Sequence, residues 1–265
     1  MQSKFITLII PFNRIQNRLP LFFILPILAI LLSLYTTAQT KQIQSIQQSW
    51  FAIQDQSRIT NKWGIWNDLQ IKTKDSYTNN FSSSEMSLGA IYVLPKNLKL
   101  VGAYTYVTNY PSDARTINVY EHRPWQMIQL NTNLHAAKWM QWLRLEERFK
   151  SKTIDNNTLG DGFDFSYRIR YNVFMQLALG KHKFAPGTFS LAAGNEIFIN
   201  FGKYIIYNTF DQNRIFIGTF YHVNKHDNLQ IGYSKVYQQL ASGNKYKSLD
   251  VFKLTYLSNL DFTRK

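Results

Sequence analysis

The chain has 265 residues, with 30 Lys+Arg against 16 Asp+Glu, a formal charge of +14 and no cysteine. Without cysteine it has neither disulfides nor thiolate zinc sites, so the fold rests on hydrogen bonding and packing. The cations are scattered singly and no nucleic-acid motif accompanies them, which argues against nucleic acid as a partner.

At the amino terminus, Lys4, Arg14 and Arg18 precede a largely apolar run from Leu19 to Leu34. Thr36 and Ala38 then place small residues at −3 and −1 for cleavage before Gln39. This is the order of a secretory signal peptide over residues 1–38. The run is shorter than the roughly 20 residues of a spanning helix and holds Pro26 near its centre. Residues 39–265 are expected to form a single β domain.

In that domain apolar and polar residues alternate with a period of two, the spacing of a strand with two unlike faces. Trp50–Arg58 is the first predicted strand, and Trp63–Lys72 the second. Met86–Leu94 turns at Pro95–Asn97 into Leu98–Tyr106, a tight hairpin. Gln126–Leu134 turns around His135–Lys138 into Trp139–Lys150. The next run, Phe163–Leu179, is the clearest: every odd position is apolar or aromatic, and the even positions include Asp164, Arg168 and Arg170. Phe189–Phe201, Ile215–Tyr221, Leu229–Tyr237 and Phe252–Tyr256 complete about eleven segments.

Long strands with one oily and one charged face suit an all-β fold, a single closed antiparallel up-and-down transmembrane β-barrel of about 10–12 strands. Bacterial single-chain barrels have even strand numbers, so ten or twelve strands are expected, with Tyr204–Tyr207 a candidate for the twelfth. Short links alternate with longer polar ones, among which Lys181–Gly187 is counted. Trp, Tyr and Phe near strand ends suit interfacial girdles. The expected location is the outer membrane, with the periplasm as the alternative. The expected partner is outer-membrane lipid around a monomer.

The charged side chains form one candidate site. Glu121, Arg123, Arg144, Glu146, Arg148, Arg168, Arg170, Glu196 and Arg214 all sit on strand faces opposite the apolar ones. With apolar faces toward lipid, these nine point into a lumen, where they pair with one another or bind a small anionic or lipidic ligand. No metal or cofactor site is expected. His222 and His226 are four apart, but a turn separates them.

The strings Arg58-Ile59-Thr60-Asn61-Lys62-Trp63-Gly64, Glu121-His122-Arg123-Pro124-Trp125-Gln126, Arg144-Leu145-Glu146-Glu147-Arg148, Tyr167-Arg168-Ile169-Arg170-Tyr171, Asn195-Glu196 and Asp211-Gln212-Asn213-Arg214 occur in this order. Together they resemble the DUF2490 family, a group of bacterial secreted proteins common in Bacteroidetes. The resemblance implies an outer-membrane β-barrel and supplies no catalytic residues.

Three functions stay open. The first is a structural, transport or binding barrel with a salt-bridged basic lumen. The second is an outer-membrane lipid hydrolase, which requires a Ser–His pair near one rim; Glu121-His122 could orient one, although no GxSxG motif and no partner serine stand out. The third is a soluble lipocalin-like periplasmic barrel binding an apolar ligand, which requires apolar faces inward and arginines outward.

Overall fold

A computed structural model describes residues 41–263, so the signal peptide expected over 1–38 lies outside the described residues. Among them are eleven strands and no helix: β1 (Gln42–Arg58), β2 (Trp63–Thr73), β3 (Phe81–Leu94), β4 (Leu98–Asn109), β5 (Val119–Leu134), β6 (Ala137–Thr153), β7 (Leu159–Ala178), β8 (Phe189–Phe201), β9 (Phe210–His222), β10 (Asp227–Gln239) and β11 (Lys245–Ser258). Each pairs antiparallel with its neighbour in sequence, and together they close into one barrel.

Closure is made by a parallel pair, β1 against β11, from Gln42 opposite Lys245 to Asp55 opposite Ser258. Alternating strands of odd number bring the first and last to the seam in the same direction. The expected ten or twelve is thus corrected to eleven among the described residues, and Tyr204–Tyr207 lies in the β8–β9 loop. The seam also places Gln42 and Ser258 at opposite rims. Beyond β11 the chain continues parallel to the end of β1, with Asp261 opposite Arg58 in the same register: the Arg58 N–H donates to the Leu260 carbonyl at 2.7 Å, and the Phe262 N–H to the Arg58 carbonyl at 2.9 Å.

At one rim the connections are 59–62, 95–97, 135–136 and 223–226, and at the other 74–80, 110–118, 154–158, 202–209 and 240–244. The β7–β8 loop, 179–188, breaks this rule: it is long, yet it sits at the short-turn rim. Lys181–Gly187 therefore does not belong with the other long loops.

The period-two pattern turns apolar side chains outward. Met86 is 64% exposed, Leu88 59%, Ile217 64% and Leu191 47%, while Arg168, between Tyr167 and Ile169, is 5% exposed. This is the reverse of a lipocalin-like barrel with apolar faces inward, and that arrangement is excluded for this chain. An apolar outer surface of this extent requires a covering of its own.

Inside, three apolar clusters stand among the polar groups. Trp66, Ile91, Val101, Trp125 and Met127 pack together. Trp50, Val236, Leu249 and Val251 flank the seam. Ala192, Phe216 and Phe220 form the third, with Phe174 and Leu257 against them.

Candidate functional site

All nine residues singled out from the sequence point into the lumen, and eight of them join one ion-paired network. Glu121, at the head of β5, accepts from Arg123 Nε at 2.8 Å and from Arg148 Nε and Nη2 at 2.7 and 2.9 Å. The two-pronged grip of Arg148 matches guanidinium to carboxylate geometry. Arg123 Nη1 continues to Glu85 Oε2 at 3.3 Å, and Glu85 also holds Lys72.

Glu146, fully buried on β6, is the hub. It accepts from Arg168 Nε at 2.7 Å and from Arg170 Nη1 at 2.7 Å. Arg123 and Arg144 stand 3.9 and 3.8 Å away. Arg168 reaches on to Asp211 at 2.9 Å, and Arg170 to Glu196 through Nε at 2.7 Å. An isolated buried carboxylate would cost many kcal/mol, and a ring of guanidinium groups is what makes Glu146 tolerable here.

Arg144, at the edge of this network, and Arg214, outside it, are held by aromatic faces. The Arg144 guanidinium lies 3.8 Å from the centre of Trp125, 4.9 Å from Trp142 and 5.8 Å from Trp66. Its Nε has no hydrogen-bond partner among the described residues. Arg214 sits 4.4 Å from Phe198 and 4.8 Å from Trp50, and donates to Gln212 at 3.0 Å. Aromatic faces attract desolvated cations without neutralising them, so Arg214 keeps a charge that no carboxylate among the described residues pairs.

Sequence reasoning missed Lys72, Glu85, Asp211, Asp68 and Lys253. Asp211 was hidden by a bulge: Phe198 pairs with Gln212 and Ile199 with Phe210, so Asp211 is the extra residue and turns inward beside Gln212. Lys253 feels Glu196, Arg214, Asp68 and Lys72 and lies 5.6 Å from the Phe216 ring. Among the described residues no carboxylate lies within ion-pair distance of Arg214 or Lys253.

A cavity of about 1150 Å³ follows this wall. It is lined from Asp113 and Arg115 at the long-loop rim to Gln56, Lys138 and Asn259 at the short-turn rim. Fourteen Lys and Arg side chains face it against six Asp and Glu, with Glu146 and Asp211 buried behind the arginines they pair, so the space is cationic.

The histidines are placed differently from the expectation. Glu121 and His122 are split between faces: Glu121 is in the lumen, whereas His122 bonds Tyr104 on the outside and packs edge-on to Phe163. They cannot act as one base and orienter. His226 Nδ1 lies 3.2 Å from the Asn259 carbonyl at the rim, while His222 points inward and is buried, so the two do not converge. No curated protein and no solved structure matches the chain. A family model described as "protein of unknown function (DUF2490)" matches residues 47–247, and the chain belongs to that family.

Proposed function

We propose that this protein is an outer-membrane barrel whose lumen binds and passes small anionic solutes. One observation carries the proposal: fourteen cationic side chains face the lumen cavity against six acidic ones, and the cationic surplus persists when the buried Glu146 and Asp211 that pair with them are included. The ion pairs around Glu146 and Glu121 order the wall; Arg214 and Lys253 remain as desolvated positive charge facing the space, joined by Arg144, whose one paired carboxylate among the described residues, Glu146, is 3.8 Å away and shared with Arg168 and Arg170. A low-dielectric channel with such a surplus concentrates anions and repels cations. The apolar outer face supports a lipid setting, since a spanning barrel needs an apolar band outside and a polar interior.

The test is single-channel or macroscopic recording of the refolded protein in planar bilayers under a KCl gradient. A reversal potential of the sign set by chloride is expected, with the preference reduced in an Arg144→Gln, Arg214→Gln, Lys253→Gln triple variant that still folds. Cation preference, or neither conductance nor phosphate-dependent stabilisation of the folded band, would overturn it.

A further inference from the structure

Ser190, His222 and Asn228 form a hydrogen-bonded row at the short-turn rim that anion passage does not use. Ser190 is the second residue of β8, His222 the last of β9 and Asn228 the second of β10. Ser190 Oγ lies 3.1 Å from His222 Nε2, and His222 Nδ1 lies 2.5 Å from Asn228 Oδ1. An amide oxygen only accepts, so Nδ1 carries the proton and Nε2 offers its lone pair to the serine hydroxyl. That is the order of nucleophile, base and orienting group.

The backbone holds the row in place. Asn228 is directly opposite His222 in the β9–β10 ladder. The Gly187 N–H donates to the His222 carbonyl at 2.7 Å, and the His222 N–H to the Thr188 carbonyl at 2.9 Å.

Three neighbouring features suit acyl chemistry. The apolar cluster of Ala192, Phe216 and Phe220 includes the residue two along from Ser190, and Phe174, Phe220 and Leu257 carry this wall into the lumen cavity. Lys138, the second residue of β6, brings a positive charge to the same rim. The third feature is a cover. Ser190 is fully buried and His222 4% exposed, and the Phe184 ring stands edge-on to His222 at 5.6 Å with Lys138 Nζ 4.2 Å from the centre of that ring. Phe184 has φ +54°, a left-handed conformation uncommon for a bulky residue, and Gly180 and Gly187 at φ +80° flank it. The long β7–β8 loop therefore covers the row, with glycines in the left-handed region near both ends.

We propose that Ser190, His222 and Asn228 hydrolyse carboxylic esters with an apolar acyl chain, reached when Phe184 swings off His222. Ser190 Oγ adds to the ester carbonyl carbon while His222 Nε2 takes its proton. The ester C–O bond then breaks and the alcohol leaves with that proton. Water attacks the acyl-serine, gives a proton to Nε2 and frees the carboxylic acid, and Oγ regains its proton. Asn228 is the positioning residue that keeps the tautomer.

The experiment treats the full barrel, refolded in detergent, with a fluorophosphonate probe and with p-nitrophenyl octanoate. Expected are covalent labelling mapped to Ser190 by mass spectrometry, its loss in Ser190→Ala, and a fall in octanoate turnover of about 10²–10⁴-fold in His222→Gln. Phe184→Ala should label faster than wild type, because the cover is removed while the row is intact. Heat-modifiable migration confirms that each variant is folded. Absence of Ser190 labelling in both the folded wild type and folded Phe184→Ala, or labelling unchanged by Ser190→Ala, would overturn the proposal, whatever the lumen conducts.

Discussion

Arg168 and Glu146 are directly opposed in the β6–β7 ladder, and both are buried in the lumen wall with guanidinium Nη2 2.5 Å from a carboxylate oxygen. Removing one member strands a buried charge, which costs about 3–5 kcal/mol. Glu146→Ala is expected to cost more than Arg168→Ala, because it leaves both Arg168 and Arg170 without their shared acceptor. The double variant should lose less than the two single losses together, with a coupling of about 0.5–3 kcal/mol. Urea midpoints of the folded band in micelles measure this, and strictly additive losses would remove the contact from the account of stability.

Why this pair was legible and others were not follows from the range of each signal. Arg144, Glu146 and Arg148 share a face by period two, and so do Arg168 and Arg170, so a hairpin between these runs brings them together. Asp211 is odd-numbered on a strand whose later even positions, Gln212, Arg214 and Phe216, point inward, and only the β9 bulge turns it inward beside Gln212. The parallel seam depends on the total strand count, which no local pattern carries. Ser190 and His222 are 32 residues apart and meet only once β8, β9 and the β7–β8 loop are assembled. Of the two, the sequence named the histidine alone.

The outward apolar face makes a depth-dependent prediction. Ile217 lies in the middle of β9 and is 64% exposed, whereas Ile43 is the second residue of β1 and 55% exposed. In a bilayer, Ile217→Arg should cost about 2–4 kcal/mol and Ile43→Arg about 0–1. Folding yield and urea midpoints in phosphatidylcholine vesicles test the difference. Equal costs at the two sites would mean that lipid does not cover this face.

Gly218 and Gly232 stand opposite one another between β9 and β10, with the Phe216 ring laid over both. A methyl group at Gly218 would meet the Ile231 carbonyl oxygen at 2.4 Å and Phe216 Cζ at 2.6 Å. The ring could rotate away, but the backbone oxygen cannot. Gly218→Ala is therefore expected to destabilise by about 1–3 kcal/mol as an overpacked site. Gly102, which has open space at its missing Cβ, is the control: Gly102→Ala should be tolerated. Equal urea midpoints for the two variants would show that the close approach carries no cost.

At the long-loop rim, Lys74 Nζ bonds Asp113 Oδ1 at 2.6 Å and ties the β2–β3 connection to the β4–β5 connection, with Asp75 3.8 Å from the same ammonium. The hydrogen bond from Lys74 and its charge hold the Asp113 carboxyl below its ordinary 3.8, with Lys247 adding to the effect. Asp113 in turn holds Lys74 above 10.5. The tie is complete through neutral pH; it is lost on the acid side as pH falls through the lowered Asp113 value, and on the alkaline side above the raised Lys74 value. The chain has no cysteine, so Ser112→Cys gives a unique attachment point for a spin label. Its spectrum should sharpen on acidification past that point, in Asp113→Asn already at pH 7, and in part in 1 M salt, which screens an exposed pair. An Asp113→Asn spectrum identical to that of the parent label at pH 7 would show that the contact does not restrain the loop.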